Sequence, residues 1–108
     1  MDNRDVSYEL GGQLFVWDIK KHESNVRKHE ITFEEAATAI MDIRTFIIDD
    51  KEHSLWEERF NVIGMSEKNR ILFICYCMRE NNAVVRIFSA RKATNNELQE
   101  WKETLYAE

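Results

Sequence analysis

The alternation of apolar and polar residues changes period several times along the chain, and each change marks an element. Leu14-Phe15-Val16-Trp17 is a short apolar run that reads as a strand, and Asp18 behind it is a natural N-cap for a helix running to about His29. That helix has few apolar anchors, chiefly Ile19 and Val26, while Lys21, Asn25 and Lys28 recur at helical spacing and are expected on one exposed face. Something other than core burial must hold it. Thr32 and Glu35 have the spacing of a capping box, and Phe33, Ala36, Ala37, Ile40 and Met41 then repeat as the buried stripe of a second helix.

Beyond Ile43 the period becomes that of strands, over 45–49, 59–65, 71–78 and 84–89. The short polar connections, such as Ser66-Glu67-Lys68-Asn69 and Glu80-Asn81-Asn82, suit antiparallel neighbours and predict a meander. The run from Ile71 to Met78 is apolar on both faces, so it belongs in the middle of the sheet. A second capping box, Thr94 with Glu97, opens a last helix whose buried stripe is Leu98, Trp101 and Leu105. The expected class is α+β, in the order β-α-α-β-β-β-β-α, with helices packed on an antiparallel sheet. Residues 1–12 are polar and end in Gly11-Gly12; they are expected to form a loosely ordered leader, with one domain over 13–108.

A chain of 108 residues holds one core, and its 44% hydrophobic content is enough to fill it. No apolar stretch is long enough for a membrane helix and the first residues lack the pattern of a signal peptide, which points to the cytoplasm. Cys75 and Cys77, two apart on one strand, share a face in a geometry unsuited to a mutual disulfide, and without a second ligand pair they make a poor zinc site. Neither a metal nor a cofactor is expected. The net charge of −5 argues against a protein that coats nucleic acid by charge alone, but the charge is unevenly spread. Lys20, Lys21, Arg27 and Lys28 oppose only Glu23 in the first helix, with His22 and His29 in reserve, whereas Glu97, Glu100, Glu103 and Glu108 oppose only Lys102 at the C-terminal end.

Three segments, read in order, resemble the signature of the BrnT toxins. They are Trp17-Asp18 with Lys21, Asn25, Lys28-His29 and Phe33-Glu34-Glu35-Ala36; Asp50 and His53 leading to Glu57-Glu58-Arg59 and Ile63-Gly64; and Arg86 to Arg91 with Ala93-Thr94 and Glu97. The resemblance covers roughly Phe15 to Glu97. It implies a RelE-like fold, a ribonuclease that cuts RNA and slows translation, and inhibition by a BrnA-type antitoxin; a dimer of toxin–antitoxin heterodimers is one assembly it allows.

Metal-free RNA cleavage needs a base for the 2′-OH, cations around the crowded phosphate and an acid for the leaving 5′ oxygen. Arg59, Arg86 and Arg91 are the candidates for the phosphate, with His53 or Glu58 as proton carrier. Each has a plainer alternative. Arg91 can serve as a cap or salt bridge to the last helix through Glu97, Arg59 can pair with Glu57 or Glu58, and an inward-facing Arg86 needs some partner. His53 sits among Asp49, Asp50 and Glu52, carboxylates that would favour its protonated form or, alternatively, hold a divalent ion. Lys21, Asn25, Lys28 and His29 are candidates for lining RNA along the first helix; a solvated basic face is the bland reading, and His29 can simply complement the helix dipole. Tyr76, Trp17 and Trp101 have core spacing, and only Trp56 is free to stack a base. Together these place a basic groove between the first helix and the sheet. A binding protein of the same fold that does not cut RNA is the competing function, and a metal-dependent hydrolase built on residues 49–53 the third.

Overall fold

The computed structural model describes residues 4–49 and 59–107. Its elements are strands β1 (Asp5–Leu10) and β2 (Gln13–Asp18), helices α1 (Ile19–His29) and α2 (Phe33–Ile40), strands β3 (Phe46–Asp49), β4 (Arg59–Met65), β5 (Ile71–Arg79) and β6 (Val84–Lys92), and helix α3 (Asn95–Leu105). The class is α+β as expected, and a 6-stranded sheet in the order β1-β2-β6-β5-β4-β3 forms its centre.

Two expectations need correction. Much of the supposed leader is an edge strand: β1 pairs with β2 from Asp5↔Asp18 to Leu10↔Gln13. Gly11 and Gly12, with φ of 59° and 81°, are the two turn residues between them. Positive φ at both central residues is the backbone of a type I′ hairpin turn, whose twist matches the flanking strands, and glycine enters it without steric cost. The alternation Val6, Tyr8, Leu10 packs β1 against the core. The sheet is also mixed rather than antiparallel, because Leu14–Val16 of β2 runs parallel to Val84–Arg86 of β6. A parallel neighbour needs a crossover, and the chain between these strands supplies one.

The main core lies on one face, where Phe15 and Trp17 of β2, Phe33, Ala36 and Ala37 of α2, and Leu72, Ile74, Val85 and Ile87 of the sheet are all buried. Ile63 alternates with Val62 and points the other way, yet both are fully buried, so β4 is covered on both faces. Helix α3 packs on β4 and brings Trp101, whose indole N–H donates to the carbonyl of Arg44. Gly64 lets the strand pass close to the α2–β3 connection, since a Cβ there would lie 2.9 Å from the carbonyl oxygen of Ala39 and collide with the side chain of Thr45. The capping box of α3 is complete, whereas that of α2 is half used. Thr32 accepts from the amide of Glu35, but the Glu35 carboxylate turns inward, accepts from Ser66 Oγ at 2.6 Å and from Arg70 Nε at 2.8 Å, and is fully buried.

Candidate functional site

The first helix is held by hydrogen bonds rather than by an apolar stripe. Asp18 caps it by accepting from the amides of Lys20 and Lys21, and His22 packs between the rings of Trp17 and Phe33. Asn25 is the correction that matters most for the site. Expected on the exposed face, it is 6% exposed. Its carboxamide accepts from the amide of Ala90 at 3.0 Å, donates to the carbonyl of Ala90 at 2.8 Å and donates to the carbonyl of Ile31 at 2.9 Å. Strand β2 pairs with β6 only as far as Arg86. Beyond it the edge of β6 would be open, and the Asn25 amide acts there as a missing strand would, offering one donor and one acceptor to the same residue. Asn25 is therefore a fixing point that holds α1 beside β6, and its polar atoms are engaged in doing so.

With α1 pinned, its basic residues line a groove of about 250 Å³ bounded by Lys21, Ser24, Asn25, Lys28, His29, Phe88 and Ser89. Lys21, Lys28 and His29 are exposed there, as expected of a basic groove between helix and sheet.

The floor of the site is shaped by an irregularity in β6. Cys75 pairs with Ser89 but Tyr76 pairs with Ile87, which leaves Phe88 as the additional residue of a β-bulge. Bulges re-aim side chains, and the burial of β6 shows the change: Val85 and Ile87 are buried two apart, then Ala90 three further on. Phe88 becomes a platform for cations. The guanidinium of Arg59 lies over its ring, 4.2 Å from the centroid, and Lys21 Nζ stands 5.1 Å from the same centroid. Two positive groups from β4 and α1 thus converge on one aromatic ring.

Arg59 and Arg86 are brought together in the sheet, each in register with Cys77 of β5 on opposite sides. Their Cα atoms are then two strand spacings apart, roughly 10 Å, with both side chains on the same face. They diverge at the tips. Arg86 reaches across β2 to the edge strand, where its guanidinium nitrogens donate to the two carboxylate oxygens of Asp5 at 3.1 and 3.3 Å.

Arg91 takes the salt-bridge alternative. It donates to both oxygens of Glu97 at 2.7 and 2.9 Å and lies over the ring of Phe73, 4.3 Å from its centroid. The hydrogen bonds from Arg91, together with those at Thr94, hold the Glu97 carboxyl below its usual range against the opposing effect of burial. Arg91 is thus engaged with the first turn of α3 in the isolated chain. His53, Glu58, Trp56 and the carboxylates at 50 and 52 lie outside the described residues. Tyr76 is half-buried, packed against the core beside Phe60, and burial pushes its phenol up. Trp17 and Trp101 are buried as their spacing implied; Cys77 is buried and Cys75 half-buried.

Sequence reasoning missed Phe88, because a bulge has no signature in the pattern of β6, and Asp5, because the leader was not read as a strand. The Gly11-Gly12 pair between two alternating runs was the available signal for the latter.

The model of the family described as "ribonuclease toxin, BrnT, of type II toxin-antitoxin system" matches residues 17–97, which contain every groove and bulge residue named above. The chain belongs to the BrnT family. Membership of a type II toxin–antitoxin family implies an antitoxin as partner. In structure, the chain resembles the Brucella abortus ribonuclease toxin BrnT, solved at 1.1 Å, with a TM-score of 0.57 and 18% identity over 73% of this chain and 94% of that one. At that identity the likeness speaks for the fold. No curated protein matches the chain in sequence. Strand β1 lies outside the span of the BrnT model, so the Asp5–Arg86 contact joins a segment beyond it to a strand within it.

Proposed function

We propose that this BrnT-family chain is an endoribonuclease that cleaves RNA without a metal ion, binding the strand in the groove between α1 and β6. The convergence of Lys21 and Arg59 on Phe88, beside Lys28 and His29, carries this reading. The groove supplies what an RNA strand needs: lysines for successive phosphates, an aromatic face for a base or for holding the arginine flat, and the Arg59 guanidinium for the phosphate under attack. As the 2′-oxygen adds to phosphorus, negative charge accumulates on the non-bridging oxygens, and a cation fixed beforehand stabilises it without reorganising. Proton transfer to and from the reacting oxygens is assigned to His53 and Glu58, which precede Arg59 in the chain. A BrnA-type antitoxin would inhibit by covering the groove, in the cytoplasm, as one half of a heterodimer that can itself pair.

Incubation of the purified chain with a synthetic RNA, with and without EDTA, tests the reading. Cleavage that survives EDTA and falls roughly 100-fold in Arg59→Ala is expected, the loss typical of removing one donor to a developing oxyanion. Cleavage abolished by EDTA would overturn metal independence, and cleavage indifferent to Arg59→Ala would overturn the placement of the phosphate. The engagement of Arg86 and Arg91 with carboxylates favours one second reading, a member of the family that binds but does not cut. RNA left intact by a chain that still binds it would support that alternative.

A further inference from the structure

We propose that Asp5 of the edge strand β1 is an internal competitor for RNA phosphate at Arg86, so that β1 holds the cleavage site in a restrained state. The inference rests on the reading of the chain as an RNA-binding nuclease and concerns how that site is regulated.

A carboxylate presents two oxygens to a guanidinium much as a phosphate does, and each forms parallel hydrogen bonds with the arginine fork. Asp5 holds this position on Arg86, with both side chains largely sheltered, at 16% and 22% exposure. The contact does not come from neighbours in sequence. It exists because the Gly11-Gly12 turn folds β1 back onto β2, and because Ser7, Val16, Arg86, Cys77 and Arg59 stand in register across five strands. Val16, between Arg86 and β1, offers no charge to intercept the guanidinium, so Arg86 is drawn toward the sheet edge and away from Arg59. The two arginines that share a row in the sheet therefore do not act on one phosphate while Asp5 is in place.

The surroundings permit exchange. The pair borders an open cavity of about 500 Å³ lined also by Ser7, Leu14, Val84, Arg79 and Glu80, where an incoming phosphate can meet Arg86. The Asp5–Arg86 hydrogen bonds, at 3.1 and 3.3 Å, are longer than those of Arg91 with Glu97, at 2.7 and 2.9 Å. Among the described residues β1 is paired on one side only, with β2, and strands at a sheet edge open more readily than central ones.

A double-mutant cycle on the full chain tests the proposal. The probe is a fluorescein-labelled 2′-O-methyl RNA 12-mer, which cannot be cut, followed by polarisation beside cleavage of the matching unmodified RNA. Asp5→Asn, which keeps shape and removes the charge, should bind about fivefold to tenfold more tightly than the natural chain and cleave faster. The same substitution in an Arg86→Ala background should change neither. Glu9→Gln removes an equal charge from β1 and should leave affinity within about twofold; a gain equal to that of Asp5→Asn would mean general electrostatics and overturn the proposal. Weaker binding or slower cleavage in Asp5→Asn would overturn it in favour of a positioning role. Asp5→Ser serves as the second variant should Asp5→Asn melt early by circular dichroism. Affinity equal in the natural chain and both Asp5 variants would overturn the competition alone, whereas no RNA binding by any of the proteins would overturn the nuclease reading and the competition with it.

Discussion

Asn25 and Glu35 show how a polar side chain recognised from sequence spacing can have its role assigned by the third dimension. Both fall on helix faces where a surface role is natural, and both are buried with every described hydrogen bond directed into the fold. Removing Asn25 leaves the amide and carbonyl of Ala90 and the carbonyl of Ile31 without their partner, and each buried orphan carries its own desolvation cost. Asn25→Ala is expected to lower stability by about 3 kcal/mol in denaturant unfolding. An unchanged midpoint would mean that water or a shifted α1 replaces the carboxamide. Burial alone would raise the Glu35 carboxyl, but the hydrogen bonds from Arg70 and Ser66 and the nearby positive charge outweigh it, and the net direction is down. A carboxyl depressed in the folded state contributes stability that is full above its unfolded value of 4.5 and lost as pH falls through the lower folded value. Glu97, depressed by Arg91, acts in the same sense. Thermal melts should therefore be flat above about pH 5 on this account and decline below about pH 4.5, with a shallower acid decline in Glu35→Gln, itself less stable at neutral pH by about 3 kcal/mol. Equal acid slopes in the two proteins would exclude Glu35 as a source of the decline.

Elements were legible in proportion to how local their determinants are. The helices follow from capping residues and apolar spacing: Asp18, Thr32 and Thr94 are the observed N-caps, and α1 ends at His29 as expected. The meander β3 to β6 follows from period-two alternation between polar turns. Two things escaped: the β1–β2 hairpin, whose local signal lay in Gly11-Gly12 and the alternation of Val6, Tyr8 and Leu10, and the parallel contact of β2 with β6, a pairing at a distance set by the path of α1 and α2. In the site, cationic types, their element assignments and the pairing of Arg91 with Glu97 were visible, but the carboxylate that meets Arg86 depended on cross-strand geometry. Gly64 gives a further test at this scale. Its resemblance to a family motif was readable, whereas its physical cause, the approach of β4 to Ala39 and Thr45, required the fold. The blocking atoms include backbone, so Gly64→Ala should cost about 2 kcal/mol or more through displacement of the α2–β3 connection, seen as a lower thermal midpoint. Retention of the midpoint would show that Thr45 can rotate away and the connection can yield.

At the scale of the whole molecule, the proposed function requires a chain of net charge −5 to attract a polyanion through one basic face while most of its surface repels it. Such binding depends on few contacts and is correspondingly sensitive to each. Lys21, Lys28 and Arg59 border the same groove and platform, while Glu97, Glu100 and Glu103 belong to α3, which packs at β4. The three cations at the groove, if each meets a phosphate, predict a dependence of log affinity on log salt of about −2 for single-stranded RNA, since each neutralised phosphate contributes roughly −0.7. Lys21→Ala and Lys28→Ala should each make that slope shallower by about 0.7 and weaken binding similarly for different RNA sequences. The acidic remainder makes the test sharp, because it supplies no background of nonspecific attraction to hide the loss. A slope left unchanged by both substitutions would place the strand elsewhere on the molecule, and a slope much steeper than −2 would mean that further cations join the interface.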